Sequence, residues 1–154
     1  MVIIYHCFGG SHSSVTAAAI HLGMLRKDRI PSARELNELP YYDKTSEADF
    51  GTIRYMGKDE WDNDVYILGK KSMGDRYNAI LTGVAALLGQ STAILPVNCM
   101  SHVNWSMKIG GFISRRLQIE FLGRPIVIWG TQKAFYHLVK LVEEVQAYLR
   151  HVAV

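Results

Sequence analysis

The chain reads as an α/β protein: a single three-layer domain built on a largely parallel sheet, with a β-hairpin in its middle. Three observations predict this. Apolar runs of strand length alternate with helical patterns at both ends of the chain. Two short strand-like runs flank a polar turn between them. The last helical pattern carries one long apolar stripe, which can close a layer over a sheet. At 154 residues the chain is long enough to bury a core.

The elements follow in order. Val2, Ile3, Ile4 and Tyr5 form a β-branched run that reads as a buried strand and stops at Gly9-Gly10. Ser11, His12, Ser13 and Ser14 come next. Val15, Ala18, Ala19 and Leu22 then recur at helical spacing, so a helix starts at the serines. Lys27 to Asp49 is polar and punctuated by Pro31 and Pro40, and Ser32 with Glu35 is a capping-box pattern that predicts a short helix over Arg34 to Leu39. The rest of that segment is expected as a surface connection, with a lid over the first loop as the less favoured reading.

Thr52 to Met56 and Val65 to Leu68 predict the hairpin. The acidic cluster between them, Asp59, Glu60, Asp62 and Asp64, lacks the glycine and terminal glutamate of a calcium loop and reads as a solvated turn. Asp75 is expected to cap a helix from Arg76 to Leu88, and Thr92 to Val97 to form the next strand. Trp105 to Leu117 reads as a helix and Arg124 to Trp129 as the last strand. Gln132 to Arg150 is the closing helix, with Phe135, Leu138, Val139, Val142, Val145 and Leu149 on one stripe. Open α/β sheets bind ligands beyond the carboxyl ends of their strands, which singles out Phe8 to Ser13, Asn98 to Asn104 and Gly130 to Lys133.

The first of these loops carries the chemistry. A strand running through a glycine turn into a helix N-terminus gathers unpaired N–H groups and the positive end of the helix dipole at one point, which favours an anion. Gly9, Gly10, Ser11, Ser13 and Ser14 are the candidate anion-binding residues. Cys7, at the strand's end, is the candidate nucleophile, because the same field favours its thiolate. His12 is the natural proton-transfer residue. Asn104, Lys108 and Arg115, on the helix expected after the second loop, are candidates for completing the site, the basic pair by adding positive charge. Asp43 could act as an acid if its loop folds inward. The plainer reading is an ordinary glycine turn with capping serines and a small buried cysteine.

A zinc site formed by Cys7, His12, Cys99 and His102 is an alternative, since thiolates and imidazoles suit a tetrahedral ion. A Cys7–Cys99 redox pair is another, against two separate buried thiols. The formal charge of +3, without a basic stripe interleaved with aromatics, excludes nucleic acid as the expected partner. No apolar run reaches the roughly 18 residues that span a membrane. Two cysteines without a signal peptide predict a cytoplasmic setting. The expected partner is a small anionic or phosphorylated ligand, and a homo-oligomer is compatible with the sequence.

Three known loops resemble the Cys7 to Ser14 run. It is similar to the phosphate loop of low-molecular-weight protein tyrosine phosphatases at Cys7, Gly9 and Ser14, with Ser13 where that family has its arginine. It also resembles the loop of cellobiose-type phosphotransferase B subunits at Cys7, Gly10, Ser13 and Ser14; these lack the arginine and take the phosphoryl group on cysteine. Gly10-Ser11-His12-Ser13 is a degenerate likeness of the Walker A loop of nucleotide binders, with His12 in the lysine's place. Over most of the chain, YHCFGGSHSSVTAAAIHLG, NWSMKIGGFISRRL and GRPIVIWGT resemble an uncharacterised family of small proteins from Firmicutes (clostridia and bacilli), which implies no activity. The expected function is binding of a phosphate-bearing or similar small anion, with Cys7-dependent phosphoryl transfer if the protein is an enzyme. A non-catalytic regulatory protein that retains the fold is the rival.

Overall fold

The computed structural model describes residues 1–74, 76–90, 93–100 and 120–152. Along them run β1 (Val2–Cys7), α1 (Ser13–His21), α2 (Ala33–Glu38), a 3-10 turn (Glu47–Asp49), β2 (Ile53–Lys58), β3 (Asp64–Gly69), α3 (Arg76–Leu87), β4 (Ile94–Asn98) and α4 (Glu120–Val152). The strands form one sheet in the order β2-β3-β1-β4. β1 pairs in parallel with both β3 and β4, and β2 lies antiparallel to β3 as the predicted hairpin.

Alternation along β1 sorts the layers. Ile3, Tyr5 and Cys7 share a core with Val65, Ile67 and Val97 of the neighbouring strands and with residues of α1 and α4. On the other face His6 meets α3: its Nε2–H donates to Asn78 Oδ1 at 2.6 Å, and its ring meets Tyr77 edge-on. Helices therefore cover both faces, giving three layers. The connection from β1 to β3 and the one from β3 to β4 run in opposite directions along the sheet, and their helices lie on opposite faces. Strand order reverses at β1. The loop that follows β1 accordingly sits at the topological switch point.

All nine residues of α1 are buried, and its run Ala17-Ala18-Ala19 lets the helix approach both the sheet and α4 closely. The capping box of α2 is present: Glu35 N–H donates to Ser32 Oγ at 3.3 Å and Ser32 N–H donates to Glu35 Oε2 at 2.8 Å. The helix ends before Pro40.

The expected last strand is corrected. Arg124 to Trp129, and with them the expected loop Gly130 to Lys133, lie inside α4, which runs unbroken through Pro125 and Gly130. Ile126, Val127 and Ile128 have strand propensity, but Val127, Thr131, Phe135, Leu138, Val142, Val145 and Leu149 make one buried stripe at helical spacing. Its packing against α1 outweighs the propensity. Thr131 Oγ1–H returns to the Val127 carbonyl at 2.9 Å, one turn back. The Asp75 cap and the helix expected over Trp105 to Leu117 lie outside the described residues.

Candidate functional site

The loop after β1 is built by two glycine contacts. Gly10 has φ +66°, and a Cβ on it would stand 2.5 Å from the Gly69 backbone nitrogen. A Cβ on Gly69 would meet the Gly9 carbonyl oxygen at 2.8 Å. The loop therefore lies backbone to backbone on the end of β3, a geometry that side chains would prevent. Two bonds extend the ladder past the strands: Lys70 N–H donates to the Cys7 carbonyl at 3.0 Å, and Lys71 N–H to the Phe8 carbonyl at 2.9 Å.

Cys7 is buried at the centre of this turn. Its sulfur lies 3.2 Å from Ser14 Oγ and accepts the Gly10 N–H at 3.2 Å. Burial pushes its thiol up, but bonds from the Ser14 hydroxyl, the Ser14 backbone, the Ser13 hydroxyl and the Gly10 backbone outweigh it and hold the thiol below its ordinary value. Cys99 behaves oppositely: burial raises its thiol well above the ordinary value, and nearby Cys7 adds to the effect. His12 occupies the N-cap position of α1 without a side-chain cap bond, so Ser13 and Ser14 are the first helical residues. The Ser11 hydroxyl is fully buried and has no hydrogen-bond partner among the described residues.

The Lys27 to Asp49 segment departs from a plain surface connection, because Tyr42, Asp43 and Thr45 are buried over the loop. Asp43 N–H donates to the Ser11 carbonyl at 3.0 Å and Thr45 Oγ1–H to the Gly9 carbonyl at 3.1 Å. His12 Nε2–H donates to Asp43 Oδ1 at 2.8 Å, and Arg124 Nε–H donates to Asp43 Oδ2 at 3.3 Å. A cation from α4 thus reaches the loop through a shared carboxylate. Reading Arg124 as part of a strand concealed it. Lys70, directly after β3, is also buried and donates to the Gly74 carbonyl at 2.9 Å; its only signal in the sequence is its place just past a strand's carboxyl end.

The structure brings together Cys7, Gly9, Gly10, Ser11, His12, Ser13 and Ser14 at the switch point, with Cys99 beside them. Asn104, Lys108, Arg115 and His102 lie outside the described residues. Among the described residues no group of three or more His, Cys, Asp or Glu side chains is arranged to hold a metal ion, and His12 is engaged with Asp43. No helix among them is long and apolar enough to cross a membrane.

A second polar cluster occupies the opposite end of the sheet. Asp59 accepts bonds from Trp61 N–H at 2.9 Å, Asn63 N–H at 2.8 Å and Asn63 Nδ2–H at 2.9 Å, which fixes it as an acceptor. His21 Nε2–H therefore donates to Asp59 Oδ2 at 3.0 Å, and Tyr5 O–H donates to His21 Nδ1 at 2.7 Å. The solvated-turn expectation fails for Asp59, whose side chain is 1% exposed. A cavity of about 270 Å³ lies there, lined by His21, Lys27, Lys58, Asp59 and Gln146 among others. Both ring nitrogens of His21 are already bonded, so the cluster reads as a clasp joining β1, α1 and the hairpin.

No curated protein and no solved structure matches the chain. The model of one protein family matches residues 2–147, nearly the whole chain, and its description is a protein of unknown function (DUF3189). The chain belongs to that family.

Proposed function

We propose that this protein binds a phosphate-bearing or similar small oxyanion at the Gly9 to Ser14 loop, with Cys7 as the nucleophile of a phosphoryl transfer. The observation that carries the reading is the Cys7 sulfur, hydrogen-bonded by Ser14 and Gly10 at the start of α1. The buried Ser11 hydroxyl, without a protein partner among the described residues, supports it as a donor for an oxyanion. A thiolate held below the ordinary thiol range is the form that attacks phosphorus. In that step the S–P bond forms as the bond from phosphorus to the leaving oxygen breaks. The N–H groups of the first turn of α1 hold the remaining oxygens. His12, oriented by Asp43, carries the proton to the leaving oxygen.

The loop keeps the cysteine and the sulfur-bonded serine of the phosphatase-like pattern and lacks its arginine, for which Arg124 is the substitute cation. Thermal stability of the purified protein with phosphate, sulfate and vanadate tests the reading. Saturable stabilisation that disappears in Ser13→Glu is expected, because a ligand that binds only the native state must stabilise it. No shift with any of the three anions would overturn it. Ser13 at the arginine position favours a second reading, a non-catalytic anion sensor. Anion binding that survives in Cys7→Ser, with no turnover of phosphate esters by the wild-type chain, would select it.

A further inference from the structure

We propose that Cys7 and Cys99 form a dithiol that hydrogen peroxide closes to a disulfide, making the loop a site of reversible oxidative modification. The pairing of β1 with β4 carries this. His6 is in register with Asn98, and the next ladder bond, Cys99 N–H to the His6 carbonyl at 2.9 Å, continues past the strand end. Cys7, the last residue of β1, and Cys99, the first residue past β4, are therefore lateral neighbours at the ends of adjacent parallel strands. Strand spacing of about 4.8 Å lies within the Cα separation a disulfide accepts, roughly 4.4–6.8 Å. Both residues belong to the core face that packs α1 and α4, so their side chains leave the sheet on the same side. Both are free thiols in this structure. Phe8 N–H donates to the Met100 sulfur at 3.0 Å, which ties the segment after Cys99 to the segment after Cys7.

The asymmetry of the pair sets the order of steps. Cys7 has the lowered thiol and Cys99 the raised one. The Cys7 thiolate attacks one peroxide oxygen, the O–O bond breaks, and hydroxide leaves as Cys7 becomes a sulfenic acid. The Cys99 sulfur then attacks the Cys7 sulfur. The S–O bond breaks, the S–S bond forms, and the Cys99 thiol proton leaves with the second hydroxide as water. The dithiol loses two electrons and two protons, and the peroxide is reduced to two waters. Reduction of the disulfide by a thiol restores both thiols and with them the loop thiolate.

Closure takes the sulfur away from Ser14 and Gly10 and removes the nucleophile, so it switches off Cys7 chemistry. That consequence rests on the function proposed above. Formation of the disulfide does not.

The chain has only two cysteines, so any disulfide within one molecule must join this pair. The test treats the full chain with hydrogen peroxide, blocks remaining thiols with an alkylating agent, and measures intact mass and oligomeric state, with and without later reduction by dithiothreitol. The expected product is a monomer lighter by two hydrogens, with no alkylated thiol, and fully recovered on reduction. Cys99→Ala should instead stop at the sulfenic acid or over-oxidise at Cys7, and Cys99→Val is the substitute if that variant does not fold. Two alkylated thiols, a disulfide-linked dimer, or irreversible sulfinic acid on the wild-type chain would each overturn the proposal. Anion-induced stabilisation of the reduced protein, measured in parallel, reports on the anion site alone, so the two readings fail separately.

Discussion

The Cys7 sulfur and the Ser14 hydroxyl stand 3.2 Å apart, the end of a strand bonded directly to the first turn of the helix that follows it. The expected consequence is a thiol that ionises below the ordinary range, about 8.5. Ser14→Ala should move that titration upward, since the Ser14 hydroxyl is the strongest of the bonds that hold the thiolate. Alkylation rate against pH, read by mass at Cys7 and Cys99 separately, checks it. The sign for stability follows. Because the folded thiol is the stronger acid, its contribution is complete above the unfolded value and is lost as pH falls through the lowered folded one.

Gly10 and Gly69 touch through their backbones. Gly10→Ala should destabilise the fold by about 2 kcal/mol or more, since it combines a positive φ with a backbone clash. Gly23, also at positive φ but with open space around it, is the control. Gly23→Ala should cost about 1 kcal/mol. Chemical denaturation of the two variants compares them, and equal losses would refute the close-contact argument.

The clasp of Tyr5, His21 and Asp59 predicts acid sensitivity. Burial holds His21 below its ordinary value, its bond to Asp59 notwithstanding, so it is neutral in the native protein. As pH falls below about 6.5 the unfolded chain takes up a proton that the folded chain resists, and stability declines until the folded value is passed. Tyr5→Phe should cost about 1–3 kcal/mol by leaving His21 Nδ1 buried without a donor. Denaturation midpoints between pH 5 and pH 8, in wild type and variant, measure both effects.

Asp43 joins His12 to Arg124 over the loop, and its side chain is 1% exposed. Asp43→Ala should destabilise by about 2 kcal/mol or more, because it strands buried donors. Arg124→Gln should change stability by no more than about 1 kcal/mol, as its side chain is 40% exposed, yet weaken stabilisation by phosphate. Thermal shifts with and without phosphate separate the two roles. An unchanged phosphate response in Arg124→Gln would remove that residue from the site.

What the sequence determined by itself is local. The β-branched start of β1, the glycine turn, a helix opening among the serines that follow it, the capping box at Ser32 and Glu35, the hairpin and α3 all follow from side-chain period and turn chemistry within a few residues. From them came the three layers and the position of Cys7 at the start of α1.

Tertiary structure decided the rest, because the deciding partners are far along the chain. Val127 and Thr131 belong to a helix because α1 offers a surface for one continuous stripe. Asp59 turns inward because His21 waits 38 residues away in sequence, and Asp43 because His12 waits 31 residues away. Cys7 and Cys99 are neighbours only because β4 inserts beside β1 rather than beside β3. Each of these depends on long-range burial of a polar or apolar group, whose cost or gain exists only once the distant surface is in place.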